Sequence, residues 1–263
     1  MAHSLSPVIH RAGYAAAGLT GWSYTAIDCG EHELPDLIAG LGPEWAGLSL
    51  TMPLKEITRS VADEVAPLAA TLGAANTLVR LPDGRWRADN TDAPGMVEAV
   101  GAGTPASRVV VLGAGGTARA ALGAAARLRA DRVTVVARRP EAVAALEPAA
   151  EALRLPLSHR PWLAAAAEIE AADLVVSTVP KGVADPLAAR VEWRPGTVLL
   201  DVLYDPWPTP LAEAASGAGC RVVSGLDLLL AQAAIQFELF TGVPAPVERM
   251  RAALMSAAAS NGG

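Results

Sequence analysis

This sequence predicts an α/β chain in two parts: an N-terminal mixed α/β domain, then a parallel-sheet domain, with helices at the C-terminus that return to the first. Three observations carry that expectation. Short Val- and Leu-rich runs alternate with alanine-rich stretches through the second half, the first half holds a hairpin signal at Pro82-Asp83-Gly84, and the chain from Leu226 onward reads as helix. Expected boundaries are 1–95, 96–225 and 226–263.

In the first half, helices are expected at Pro7–Ala17 and Leu34–Leu41, and strands at Tyr24–Asp28 and Gly47–Met52. Thr77–Leu81 and Arg85–Ala88 flank the Pro-Asp-Gly turn as a β-hairpin. Pro94-Gly95 leads into a helix over Met96–Val100, and Gly101–Pro105 reads as a linker. Arg108–Leu112, Arg132–Ala137, Asp173–Thr178 and Thr197–Val202 suit strands buried on both faces, with Arg221–Val223 as a weaker fifth. Thr117–Ala130 and Glu141–Leu153 read as helices between the first of them. Strand and helix in alternation imply a parallel sheet with right-handed crossovers. Leu226–Phe240 and Val247–Ala259 are the terminal helices.

Composition narrows the function classes. With 263 residues, 52% of them hydrophobic, the chain can bury two modest cores. No apolar run reaches the ~20 residues of a membrane span. Met1 is followed by a polar stretch, not the charged start and apolar block of a signal peptide, and the isolated Cys29 and Cys220 make a reduced cytoplasmic chain the expectation. A net charge of −6 disfavours nucleic acid as a partner. Cys29 and Cys220 stand alone, and His3, His10, His32 and His159 are scattered, so no metal site is expected.

Lysine is scarce: Lys55 and Lys181 are the only two, and arginine supplies every other cation. Nucleotide bias explains the scarcity, but a lysine that survives it draws notice, because lysine can give up a proton where arginine cannot. The bias does not choose between the two.

Directly after Arg108–Leu112 comes Gly113-Ala114-Gly115-Gly116-Thr117-Ala118, which fits G-x-G-x-x-A at the mouth of a helix. Gly113 permits the tight turn, Gly115 lets backbone approach a pyrophosphate, and Ala118 allows close helix–strand packing. The helix N-terminus offers free N–H groups and a positive dipole to phosphate. An NAD-selective chain carries an acid about 20 residues on, bonded to the ribose 2′-hydroxyl. Ala137-Arg138-Arg139 stands there instead, and two guanidinium groups suit a 2′-phosphate, so the expected cofactor is NADP.

Three first-half patches are rich in small polar groups: His3-Ser4-Leu5-Ser6-Pro7, Leu50-Thr51-Met52-Pro53-Leu54-Lys55, and Ala75-Asn76-Thr77 with Asp89-Asn90-Thr91-Asp92. Converging groups of this kind suit a polyhydroxylated ligand, since each buried hydroxyl needs a partner. Singly, each patch has a structural alternative: a helix cap at Ser6-Pro7, a strand end at Thr51, turn chemistry at Asn76 and Asp89–Asp92, or a cap by Asp92. Together with Gly225-Leu226-Asp227-Leu228-Leu229-Leu230-Ala231-Gln232-Ala233-Ala234, they make the chain resemble shikimate dehydrogenase over nearly its whole length.

That resemblance implies a substrate domain and an NADP-binding Rossmann domain with the active site in the cleft between them. It implies reversible hydride transfer between NADPH and 3-dehydroshikimate, giving shikimate for chorismate and aromatic amino-acid synthesis. By motif match, Ser4 and Ser6 bind the substrate carboxylate, and Thr51, Asn76, Asp92, Tyr204 and Gln232 line the ring and its hydroxyls. Lys55 is the implied acid/base, paired with Asp92. Gly225 meets the nicotinamide end, with Val202 also on the cofactor side. Ketone reduction places negative charge on the carbonyl oxygen, which agrees with a lysine there. The sequence departs from the family at Ala137, where asparagine is usual, at Ala142, where arginine is frequent, at Pro67, often acidic, and at Ser177-Thr178-Val179, usually Asn-Ala-Thr.

Rival readings are a quinate-accepting paralogue with relaxed cofactor use, a folate-type dehydrogenase, disfavoured by the paired serines and Gln232, and a non-catalytic NADP-binding regulator, disfavoured by intact Lys55 and Asp92. Either a monomer or a homodimer is expected. In the family, a short strand and a Gly-x-Pro-type turn precede the serine motif, whereas Met1 stands just before Ala2-His3-Ser4. The expectation is therefore that the natural chain starts upstream.

Overall fold

The computed structural model describes residues 4–261; the expectation attached to Met1 lies outside them. In chain order the elements are α1 (Ser6–Ala16), α2 (Leu34–Ala39), β1 (Gly47–Ser49), β2 (Glu64–Val65), α3 (Pro67–Leu72), β3 (Thr77–Arg80), β4 (Trp86–Asp89) and α4 (Asp92–Val100). There follow β5 (Arg108–Leu112), α5 (Gly116–Arg127), β6 (Arg132–Val136), α6 (Pro140–Ala144), α7 (Glu147–Ala152), β7 (Leu157–Arg160), α8 (Ala165–Glu170) and β8 (Leu174–Ser177). The last are β9 (Val198–Asp201), α9 (Pro210–Gly217), β10 (Arg221–Val223), α10 (Gly225–Thr241) and α11 (Val247–Asn261). The chain divides into two compact units, Met1–Gly95 with Leu229–Gly263, and Met96–Leu228. None of its described helices is long and apolar enough to cross a membrane.

The first unit holds a four-stranded mixed sheet in the order β1-β3-β4-β2. Pro82-Asp83-Gly84 closes the antiparallel β3–β4 hairpin, with Thr77 opposite Asp89 and Arg80 opposite Trp86. Gly84 sits at φ +87°, a conformation that a side chain would strain. Leu34 and Ile38 of α2 pack with Leu50, Leu54, Leu78, Trp86 and Ala88 in one apolar cluster. Helix α1 lies against α11. Tyr24–Asp28, expected as a strand, is irregular. Among the described residues no strand pairs with it, and an alternating pattern becomes a strand only where a neighbour completes the ladder. Arg11 binds its Tyr24 carbonyl instead, at 2.7 and 2.9 Å. Strand β1 also stops at Ser49, before the turn that carries Lys55.

The second unit is a six-stranded, fully parallel sheet in the order β10-β9-β8-β5-β6-β7. From β5 the chain winds outward through β6 and β7, then returns to start the other half at β8. This is the doubly wound arrangement, and its switch point lies between β5 and β8. Strands β5, β8 and β9 are apolar and almost wholly buried, as strands covered on both faces must be. Strand β7 was not expected. Its Leu-Ser-His-Arg sequence lies at the sheet edge and is only partly buried, so it carries no apolar run. The single helix expected over Glu141–Leu153 is two, α6 and α7, because Pro148 has no N–H to continue a helix and instead opens the second one.

His10 of α1 is fully buried. Its ring stacks on Tyr24 at 4.4 Å and faces Phe240 and Tyr14 at about 6 Å. Neither ring nitrogen has a hydrogen bond of ordinary geometry. Burial pushes the imidazole down to about 4, with Gln236 pulling weakly the other way. A histidine that titrates near 6.5 when unfolded and about 4 when folded takes up its proton in the unfolded chain first. Its contribution is therefore intact above pH 6.5 and is lost as pH falls from there toward 4. The shift corresponds to a loss on the order of 3 kcal/mol. Urea midpoints measured from pH 7 to pH 4 should fall, and the fall should be visibly shallower in His10→Phe. An identical decline in both proteins would assign the acid sensitivity elsewhere.

Candidate active site

Three elements of the first unit bring polar groups to one place. The turn after β1 carries Lys55, Asn76 stands just before β3, and the first turn of α4 carries Asp92. Buried Leu54 anchors the turn in the core, while the Lys55 carbonyl accepts a hydrogen bond from Ala75 N at 2.8 Å. Lys55 Nζ donates to Asp92 Oδ2 at 2.7 Å, with 15% and 9% of the two side chains exposed. Asn76 Nδ2 donates to the other oxygen, Asp92 Oδ1, at 3.0 Å, and also to Thr91 Oγ1 at 2.9 Å. Gln232 Oε1 of α10 stands 3.5 Å from the same amide. On its other side, Asn76 Oδ1 accepts from Thr91 N at 2.8 Å and from Thr77 Oγ1 at 3.0 Å. These bonds leave the asparagine amide one orientation.

The helix-cap alternatives for this patch do not hold. Asn90 Oδ1, and not Asp92, accepts from Ala93 N in the first turn of α4, at 3.0 Å. The carboxylate of Asp92 is thereby left to the lysine. Likewise Leu5, not Ser6, is the N-cap of α1, and no side chain caps that helix. Ser6 and Ser49 both lie against the Tyr24 hydroxyl. Ser4 is half-buried just before it, and Thr51 is exposed on the turn leading to Lys55.

The second unit gathers the glycine loop and its neighbours at the C-terminal ends of its strands. Gly113 follows β5 at φ +101°, and a Cβ there would stand 2.7 Å from Thr178 Oγ1. Ala114 leads to Gly115, the N-cap of α5, which has open space where a side chain would stand; Gly116 and Thr117 then begin the helix. Bare backbone at the mouth of a 12-residue helix, on the switch point of the sheet, fits a pyrophosphate. Arg138 and Arg139 follow β6, both exposed, and Arg139 occupies the N-cap position of α6 without a side-chain cap. Gly225 N donates to Leu203 O at 3.1 Å, and a Cβ on Gly225 would meet Val202 O at 2.2 Å, so only glycine fits there. The buried carboxylate of Asp201 shapes this loop, accepting from Leu203 N at 3.2 Å and Thr209 Oγ1 at 2.8 Å; burial pushes its pKa up. Tyr204 follows, half-buried, its phenol pushed up by burial and by Asp205. Lys181 is exposed beyond β8.

Sequence reasoning named Lys55, Asn76, Asp92 and Gln232, and the structure brings these four together. It passed over Thr91, which holds the far side of the Asn76 amide, and Gln236. The signal for Gln236 was present: it lies four residues after Gln232 in a mostly apolar helix, and hence on the same face. Thr91 lay inside the polar Asp89–Asp92 patch but drew no role of its own, because it acts through its backbone N–H as much as its hydroxyl.

A doubly wound parallel sheet with a glycine loop at its switch point defines the class as a dinucleotide-binding α/β protein. Comparison with known proteins narrows this. Residues 1–78 match the shikimate dehydrogenase substrate binding domain, residues 225–255 the shikimate 5'-dehydrogenase C-terminal domain, and residues 88–206 the alanine dehydrogenase/PNT C-terminal domain. Shikimate dehydrogenase (NADP(+)) of Moorella thermoacetica is 38% identical, over 99% of this chain and 92% of its own. The crystal structure of Mycobacterium tuberculosis shikimate dehydrogenase superposes with a TM-score of 0.89 at 47% identity, over 97% of this chain and 95% of that one. Shikimate 5-dehydrogenase from Thermus thermophilus, solved in complex with NADP(H) and shikimate, gives 0.83 at 32%, over 97% and 95%. The chain belongs to the shikimate dehydrogenase family.

Gly95 of α4 makes the site sensitive to bulk. A Cβ on it would lie 3.0 Å from the backbone nitrogen of Gln232 and 3.1 Å from its Cα, so α4 and α10 touch backbone to backbone. Gly95→Val should destabilise the fold by about 1–3 kcal/mol, as overpacking does. Urea unfolding measures it, and a variant as stable as its parent would mean that α10 yields freely at this contact.

Proposed function

We propose that this chain catalyses the reversible NADPH-dependent reduction of 3-dehydroshikimate to shikimate, a step toward chorismate and the aromatic amino acids. The observation that carries the reading is the Lys55–Asp92 pair at 2.7 Å, braced by Asn76, in a chain of this family. Support for the substrate comes from relatives named for it and from a structural neighbour solved with shikimate and NADP(H). When bound, NADPH supplies the hydride. Lys55 is the proton donor: its ammonium hands a proton to the carbonyl oxygen as negative charge builds there, and takes one back in the reverse direction. Asp92 orients that ammonium and holds a substrate hydroxyl, while Asn76 fixes the carboxylate. Ser4 and Ser6 take the substrate carboxylate, and Thr51, Tyr204 and Gln232 take the ring hydroxyls.

Residues 1–95 form the substrate domain in this reading, 96–225 the NADP domain, and 226–263 the helices that return to the first. Gly113–Thr117 would hold the pyrophosphate, Arg138 and Arg139 the 2′-phosphate, and Val202 and Gly225 the nicotinamide end. The enzyme works on small molecules in the cytoplasm, as a monomer or homodimer. Oxidation of shikimate and of quinate, each with NADP⁺ and NAD⁺, tests the whole assignment; turnover of quinate but not shikimate would reject it.

Lys55→Ala should lower kcat by ~10²–10⁴, the usual cost of losing a positioned acid/base, and leave NADPH affinity unchanged. Retention of more than half the parent turnover at saturating substrate would remove Lys55 from the chemistry.

Replacing Arg138 and Arg139 together by alanine should weaken NADPH far more than NADH. A hydrogen bond to a charged group is worth about 1.5–3 kcal/mol, so discrimination should fall at least about tenfold. Equal weakening of both cofactors, measured by fluorescence titration, would move the arginines away from the 2′-phosphate.

A further inference from the structure

Gln236 is 1% exposed on α10, one turn beyond Gln232, and has no role in the chemistry above. Its carboxamide is used at both ends. Oε1 accepts from Ser49 Oγ of β1 at 2.7 Å, and Nε2 donates to Thr77 Oγ1 of β3 at 2.9 Å and to Asn76 O at 3.3 Å. Ser49 also meets the Tyr24 hydroxyl, which meets Ser6. Thr77 bonds to the Asn76 amide, and that amide to Asp92, the partner of Lys55. A chain of polar contacts, hydrogen-bonded from Ser49 onward, thus runs from the serine proposed to hold the substrate carboxylate to the pair proposed to move the proton. Gln236 is its midpoint.

A buried carboxamide bridging two strands from a helix has a structural role available to it, since unpaired buried polar groups are costly. That role alone does not require its particular neighbours. Thr77 and Asn76 are the residues whose hydroxyl and backbone set the Asn76 amide, and Ser49 is the next group along toward Ser6. Without Gln236, the Ser49 hydroxyl loses its acceptor, and Thr77 and the Asn76 carbonyl lose a donor. The Asn76 amide would keep its own bonds to Thr91, Thr77 and Asp92, but the Thr77 hydroxyl that bonds it would no longer be fixed from behind.

We infer that Gln236 is a positioning residue for the reaction, coupling the substrate-carboxylate end of the site to the Lys55–Asp92 pair through Ser49 on one side and Thr77–Asn76 on the other. The inference rests on the shikimate dehydrogenase reading. It places Gln236 out of contact with substrate and makes it act through Asn76.

Gln236→Met keeps the length of the side chain and removes every hydrogen bond, so it separates packing from polarity. Steady-state kinetics well below the unfolding temperature should show kcat/KM for shikimate reduced about tenfold or more, with KM for NADP⁺ within twofold of the parent. Ser49→Ala, a smaller change at one end of the chain, should reduce kcat/KM by a lesser factor. The double variant should be no worse than Gln236→Met alone, because Ser49 acts through Gln236. A purely structural role would lower the unfolding temperature and leave these kinetic ratios alone. The inference is overturned by Gln236→Met retaining more than half the parent kcat/KM, by equal losses for shikimate and NADP⁺, or by multiplicative effects in the double variant. Should Gln236→Met fail to fold, Ser49→Ala decides alone, and parent-like kinetics there overturn the inference. A parent protein that oxidises no shikimate overturns the functional reading, and this inference with it. An active parent beside an unaffected variant overturns the inference alone.

Discussion

A carboxylate removed from water needs its lone pairs engaged and its charge met, or it protonates or stays out of the interior. Asp92 meets that demand with an ammonium on one oxygen and a carboxamide on the other. Much of the first unit follows from this. The carboxamide of Asn76 must face the right way, so Thr91 and Thr77 hold its oxygen. Those residues stand close because the hairpin pairs Thr77 with Asp89, which puts the residues after β4 beside those before β3. Helix α4 must begin without help from Asp92, and Asn90 takes that task.

In the second unit the corresponding constraint is close approach of backbone. Gly113 and Gly225 are glycines because Thr178 and Val202 occupy the space a side chain would need. Gly113 lies at the switch point of the doubly wound sheet, where the connections after β5 and β8 leave in opposite directions and open a crevice at the C-terminal ends of the strands, and Gly225 follows the edge strand β10. Asp201 contributes from below. Buried at the end of β9, it ties the loop carrying Val202 and Tyr204 to the N-cap of α9, since Thr209 both donates to Asp201 and accepts from Ala212 N.

How far the sequence could be read depended on whether a feature was local. Buried parallel strands and the Pro-Asp-Gly hairpin were legible because apolar runs and turn chemistry are written in consecutive residues. Strand β7 was not, since an edge strand needs no apolar run, and Tyr24–Asp28 misled because a strand also needs a neighbour. The break between α6 and α7 was visible in Pro148 and was passed over. Lys55, Asn76, Asp92 and Gln232 were found through family motifs, and their hydrogen bonds could come only from the fold. Gln236 shows the limit most clearly. Its spacing from Gln232 put it on the right face, but its partners Ser49 and Thr77 lie far away in sequence.

The scarcity of lysine has a practical side once the two are located. Lys181 is exposed beyond β8, while Lys55 is mostly covered and tied to a carboxylate. Among side-chain amines, then, the chain offers acylating reagents one accessible target and one shielded target. Of the two lysines, a fluorophore or a solid support attached through a side-chain amine would go to Lys181 and spare the ion pair, which gives the protein a lysine handle away from Lys55 without any engineered residue.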